Sequence, residues 1–257
     1  MNDYIVFTVG TNAYAIDVTY VERIIQIPSV TPVVNAHPFV DGMIVYEKKT
    51  TKILNFRKAV GMVSQEEELA RTFIQVKKDH EAWIEALKAA LDSGSEFGLT
   101  TDPHACRLGK WLDSYTSHDP QVIALLQGLI PLHIRLHEYG KEILNVREND
   151  PSRAAQMFQN EMVQLYAQTT GQLDKMIGQA DSFAKYQQKL VIYHGNETLI
   201  AVKVDGIEDI AVIDESAIKP YDHEREIGGC LSTRGVVEHK GKLVIVVESV
   251  SLPNDGA

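Results

Sequence analysis

The chain has only two cysteines in 257 residues, Cys106 and Cys230. That excludes a disulfide-scaffolded secreted domain and favours a reducing compartment. Basic excess is missing too, since the formal net charge is -10. A general nucleic-acid or anionic-membrane binder needs a basic surface, so neither class is expected. Apolar runs are short and β-branched, as at Leu243 to Val247, and none approaches the roughly 20 residues of a membrane-crossing helix. The opening Met-Asn-Asp-Tyr-Ile-Val-Phe has no basic stretch ahead of an apolar one, so no signal peptide is read there. A soluble cytoplasmic protein is the expectation. Catalytic signatures are scarce as well. There is no Gly-rich phosphate loop, no His-Glu-x-x-His and no Ser-centred nucleophile elbow. A non-enzyme is expected.

What the chain does contain changes character twice. Residues 1 to 63 read as strands rich in Val, Ile, Tyr and Phe: Tyr4 to Val9, Ala13 to Val18, Thr31 to Val34, Met43 to Tyr46 and Thr51 to Phe56. Thr19 to Ile25 reads as a short helix or turn. Residues 64 to 188 switch to apolar spacings of three and four, with four helix starts. Ser64-Gln-Glu-Glu67 matches a capping box. Asp102-Pro103, Asp119-Pro120 and Asp150-Pro151 each set an acceptor before a proline at the first helical position. The implied helices span 64–92, 102–116, 119–148 and 151–188, with connections short enough for antiparallel neighbours. Residues 189 to 257 return to strands at Leu190 to Tyr193, Thr198 to Val204, Ile210 to Ile213 and Lys242 to Val247. His-Gly-Asn, Asp-Gly and Lys-Gly turns separate them. The order implies one β domain split by a helical insert.

Four metal-ligand side chains fall in that insert: His80, Cys106, His133 and His137. His133 and His137 stand four apart, on one helix face. Alone, such a pair is common on helix surfaces, and a lone helical cysteine is usually a small buried apolar residue. Taken together, three imidazoles and a thiolate suit tetrahedral Zn²⁺ and leave no position open for substrate. That favours a sensor or scaffold over a hydrolase. His104 and His118, near helix starts, are the rival ligands. Asp79 and Asp113 are either acceptors for ligand N–H groups or exposed helix charges. Trp83 and Trp111 read as core, Gly109 as a close-packing position and Cys230 as structural. His37, His194, His223 and His239 read as exposed turn residues.

The middle segment resembles the bacterial chemoreceptor zinc-binding domain. The likeness is carried by Asp79-His80-Glu-Ala-Trp83, by His104-Ala-Cys106-Arg-Leu-Gly109-Lys-Trp111-Leu-Asp113, and by His133-Ile-Arg-Leu-His137 with Gly140-Lys-Glu. It implies a four-helix bundle holding zinc through His80, Cys106, His133 and His137. The flanking halves resemble the CheW-like coupling domain of bacterial chemotaxis. Phe7-Thr-Val-Gly, Tyr14-Ala-Ile16, Phe39-Val-Asp-Gly42-Met-Ile, Ile53-Leu-Asn-Phe-Arg57-Lys, Leu199 to Asp205 and Leu243 to Val247 carry that likeness. It implies a small β-barrel interrupted by the antiparallel bundle. Where that family often has an Arg-Gly pair, this chain has Val45-Tyr-Glu-Lys-Lys-Thr. The resemblances together imply a chemotaxis signalling adaptor that senses zinc or an oxidant such as hypochlorous acid through Cys106. A scaffold with a purely structural zinc site is the alternative. The expected partners are a chemoreceptor, a histidine kinase or another signalling protein, and a homodimer through the helical domain is left open.

Overall fold

The computed structural model describes residues 1–195, 198–220 and 226–253. It divides into two compact units, one built from Met1–Gln65 and the chain from Ala184 onward, the other from Glu66–Phe183. No described helix is long and apolar enough to cross a membrane.

In the β unit, β1 (Asn2–Val9) and β2 (Asn12–Asp17) form a hairpin. The segment from Thr19 to Ile25 is mostly strand rather than helix. A single 3-10 turn at Val18–Tyr20, capped by Asp17, leads into β3 (Val21–Gln26). β-Branched Val21, Ile24 and Ile25 favour that outcome. Thr31 to Val34 supplies only one bridge, Thr31 to Met43, instead of a strand. β4 (Val40–Tyr46) and β5 (Lys49–Asn55) are joined by Glu47 and Lys48, both at positive φ (46° and 66°), and α1 (Phe56–Ala59) follows. After the helical unit come β6 (Lys189–His194), β7 (Leu199–Val204), β8 (Gly206–Ile213), β9 (Glu226–Ile227), β10 (Leu231–His239) and β11 (Lys242–Val250).

The strands form two open sheets, β8-β1-β2-β11-β10-β9 and β3-β6-β7-β5-β4. A barrel requires the outermost strands to pair, and among the described residues they do not. Each sheet also carries a buried cluster of its own. In the first, Tyr4, Ala15, Ala211, Val237 and Val246 belong to one apolar group. In the second, Ile44, Ile53, Leu190 and Ile192 do. A larger core joins Ile5, Phe7, Tyr14 and Ile16 of one sheet to Leu54, Val191, Tyr193 and Val202 of the other.

One buried ion pair fastens the early part of this unit to the late part. Arg57 Nε donates to both Asp205 carboxylate oxygens at 2.8 Å, and Asp205 also accepts the Gly10 N–H at 2.6 Å. Arg57 spends another donor on the Val63 carbonyl at 2.9 Å. Nearby, Gln65 donates to Gln187 at 3.2 Å, so the points where the chain leaves and rejoins the β unit are adjacent.

The helical unit contains α2 (Gln65–Ser93), α3 (Arg107–Ser114), α4 (Pro120–Arg147), α5 (Pro151–Met157), α6 (Val163–Ile177) and α7 (Ala180–Gln187), with the unit boundary falling inside α7. A π-helical turn at Phe158–Met162 links α5 to α6 without breaking the helical path. Asp119 and Asp150 cap α4 and α5, each ahead of a proline in the first turn. Asp102 does not start a helix. Its carboxylate holds only a turn, accepting the His104 N–H at 2.9 Å, and α3 begins at Arg107. The helix expected over 102–116 thus shrinks to an eight-residue α3, beside three long helical stretches.

Asp205→Ala leaves the Arg57 guanidinium buried without its carboxylate, and urea denaturation should show a loss of about 3–5 kcal/mol. Replacing residues 66–186 with a short Gly/Ser linker should leave a folded β unit with a cooperative melt and a strand-type circular dichroism spectrum. A random-coil spectrum at every linker length would contradict this.

Candidate metal centre

Each member of the His/Cys set is placed by the helix that carries it. On α2, Phe73, Val76, His80, Trp83, Leu87 and Ala90 are buried, a spacing of three and four that turns His80 into the helical core. On α4 the buried face runs through Leu129, His133, Leu136, His137 and Gly140. Ile130, three residues before His133, is 36% exposed. Cys106 is the N-cap of α3, and its sulfur accepts the Gly109 N–H at 3.3 Å.

These side chains converge. The candidate ligand atoms of His80, Cys106, His133 and His137 all lie within 4.8 Å of one another. Cys106 Sγ stands 3.2 Å from His133 Nε2. The three imidazole rings pack edge to face, with centroids 4.9 to 5.5 Å apart. His80 Nδ1 lies 2.7 Å from the Val76 carbonyl, which fixes the proton there and leaves the Nε2 lone pair aimed at the cluster. Among the described residues, His80 Nε2 and both ring nitrogens of His137 are buried without a hydrogen-bond partner. The Thr100 carbonyl lies on the His137 side and favours the charged ring, but at no geometry that makes a hydrogen bond.

Burial dominates the protonation of the site. It holds His80 below the usual imidazole value. Burial, then the neighbouring His80 and His137, brings His133 down to about 3. Burial and His80 bring His137 down to about 4. Burial pushes the Cys106 thiol up, against the Gly109 and Leu108 N–H groups that favour the thiolate. Metal-free at neutral pH, the site therefore holds neutral imidazoles and a protonated thiol. Buried nitrogen lone pairs without donors, beside a sulfur, fit a soft or borderline cation such as Zn²⁺. His80, Cys106, His133 and His137 could together hold one ion.

Trp83 closes one side. Its ring centroid is 5.0 Å from that of His137, and its indole N–H donates to the Thr100 carbonyl at 2.8 Å. Gly140 makes room for it, since a Cβ there would stand 2.3 Å from the indole ring. Trp111 packs farther off, against Phe73 and Tyr115. Gly109 sits against the Pro103 carbonyl rather than another helix.

The remaining readings separate. Asp79 pairs with Arg107 at 3.1 Å and Asp113 with His104 at 3.0 Å, so neither orients one of the four ligands. The acceptor that does, the Val76 carbonyl, is backbone and has no residue signature. His104 and His118 are exposed and outside the cluster. His37 accepts the Phe39 N–H, His194 pairs with Glu22, and His239 is half-buried against Asp209. His223 lies outside the described residues. Cys230 is buried in the β core.

The model of the chemoreceptor zinc-binding domain matches residues 80–144, a range that contains all four side chains. The model of the CheW-like domain matches residues 3–99. The two matches overlap on residues 80–99, within and just past α2. Among solved structures, the chain is similar to the scaffolding protein TtCheW from Thermoanaerobacter tengcongensis, with 10% identity and a TM-score of 0.45 over 96% of this chain and 84% of that one. No curated protein matches the chain.

The depressed imidazoles have a pH consequence in the metal-free protein. As pH falls below the ordinary imidazole value of 6.5, the unfolded chain takes up protons that folded His133 and His137 refuse until about 3 and 4. Stability is therefore full above that value and lost on acidification through this window, by up to about 1.4 kcal/mol per pH unit for each group. The urea midpoint of metal-free protein should fall between pH 7 and pH 5. The fall should be shallower in His133→Gln/His137→Gln protein, and an equal fall in both would contradict the assignment.

Proposed function

As a chain that carries both a CheW-like domain and a chemoreceptor zinc-binding domain, this protein is, we propose, a cytoplasmic chemotaxis signalling adaptor whose helical unit reports zinc or oxidant through Cys106. The observation that carries the reading is the buried cluster of three imidazoles and one thiol, with ring nitrogens that none of the described residues satisfies. A bound Zn²⁺ ion would satisfy those lone pairs and hold Cys106 as a thiolate. His80 comes from α2, Cys106 from the start of α3, and His133 and His137 from α4. Occupancy of the four side chains therefore bears on how three helical elements are held together.

The ligand set leaves no position for substrate, which supports a non-catalytic role. Cys106 is its one anionic member when ionised, and it is half-buried while the three histidines are buried. Its thiolate reacts with hypochlorous acid by taking up oxygen: the S–O bond forms, the O–Cl bond breaks, and sulfenic acid and chloride result. The sulfenic sulfur is a poorer donor, so the three neutral imidazoles would be left to hold the ion. Cys230 serves as an internal control, because burial in the β core pushes its thiol up to about 11. The CheW-like portion supports docking to a chemoreceptor, a histidine kinase or a related signalling protein. In this chain the β4–β5 turn is Glu47-Lys48, so the partner would meet acidic and basic side chains there rather than Arg-Gly.

The purified chain should carry one zinc per monomer by elemental analysis. Cys106→Ala or His133→Ala should each weaken binding at least tenfold, on the order expected when a ligand is lost. His239→Ala should not. Unchanged zinc content after removal of all four side chains would overturn the site. Hypochlorous acid should release zinc from the parent and from Cys230→Ser protein, with a trappable sulfenic acid at Cys106. Full zinc retention beside a labelled Cys106 would leave the purely structural reading ahead.

A further inference from the structure

Buried ligands need a route in from solvent. His80, His133 and His137 are only 3%, 1% and 1% exposed. Beside them lies a small cavity of about 70 Å³ whose lining includes Pro103, His104, Gly109, Asp113, Ile130 and His133. One wall of that cavity is thus a member of the metal cluster. Another is an exposed His–Asp pair, with side chains 62% and 52% exposed.

The pair is built in a particular way. His104 Nδ1 stands 3.0 Å from both Asp113 oxygens. A proton on Nδ1 shared with the carboxylate leaves the Nε2 lone pair for a cation, and a carboxylate on the far nitrogen is the usual support of a metal-binding imidazole. The backbone is fixed as well. Asp102 accepts the His104 N–H at 2.9 Å. Gly109 packs so tightly under the loop that a Cβ would lie 1.8 Å from the Pro103 oxygen. An ordinary surface ion pair would stabilise the fold by about 0–1 kcal/mol and touch nothing else. This one borders the same cavity as His133.

We propose that His104, supported by Asp113, is a loading ligand that takes Zn²⁺ from solvent and hands it to His133. The transfer is ligand exchange: a metal–nitrogen bond to His133 forms as the one to His104 breaks, with no change of oxidation state. The inference rests on the zinc reading above. A loading ligand lowers the barrier in both directions, so it alters rates and leaves the equilibrium alone.

The test is stopped-flow exchange of zinc between the full-length chain and a fluorescent chelator, run in both directions. His104→Ala should slow loading and release together by roughly tenfold, the scale on which supporting groups act at metal sites. Asp113→Asn should have a smaller effect of the same sign, and His118→Ala should have none. Equilibrium affinity should stay within about twofold in all three, as a purely kinetic role requires. Rates in His104→Ala equal to the parent would overturn the proposal. So would faster release with affinity lost in step, which would make His104 part of the equilibrium site. A parent chain that takes up no zinc would sink the zinc reading and this proposal with it, a result distinct from either.

Discussion

Ring nitrogens packed into a helical core with no hydrogen-bond partner among the described residues set the terms for the rest of the site. A buried polar atom left unsatisfied costs on the order of 1–3 kcal/mol. His80 Nε2 and the two ring nitrogens of His137 carry that cost at one point. Burial keeps the rings neutral, so the lone pairs cannot be quenched by protons near neutral pH. Each surrounding feature holds those lone pairs in place. The Val76 carbonyl orients His80, Trp83 walls off His137, and the N-cap geometry of α3 brings the Cys106 sulfur to His133. A divalent cation with soft preferences is the species such an arrangement accommodates, and ionising Cys106 would accompany its arrival.

The β unit solves a different problem. Its strands come from two stretches of chain separated by the whole helical unit. Parallel pairings bridge that gap twice, β11 with β2 and β5 with β7. The Arg57–Asp205 pair bridges it again with buried charge. Gln65 and Gln187 meet where the chain leaves and returns. A helical segment can occupy this position because its two ends are held together by the β unit itself.

Features encoded within a few residues were legible in the sequence. Asp119 and Asp150 cap as their prolines suggested, and the strands from Tyr4 and from Leu190 follow their β-branched runs. The four-residue step from His133 to His137 gave their shared face. Features set by distant packing were not legible. Asp102 carries the same Asp-Pro signal as the others, yet its helix starts later, capped by a thiol, which is not a customary cap. β10 went unread because Arg234 and Gly235 interrupt its apolar pattern. Its bulges and its fit against the Lys219 carbonyl appear only in three dimensions. Closure of a barrel depends on edge strands finding each other, which no local pattern records. The role of the His104–Asp113 pair depends on a cavity, and only the fold displays one.

The central claim is that one metal ion sits among three imidazoles and one thiolate. Cobalt(II) substitution reads that coordination directly, since four-coordinate cobalt absorbs strongly in the visible and a cobalt–thiolate bond adds a near-ultraviolet charge-transfer band. The account predicts intense visible bands with one thiolate band per cobalt, and loss of the thiolate band in Cys106→Ser but not in Cys230→Ser protein. Weak bands of six-coordinate cobalt, or a thiolate band that survives Cys106→Ser, would contradict it.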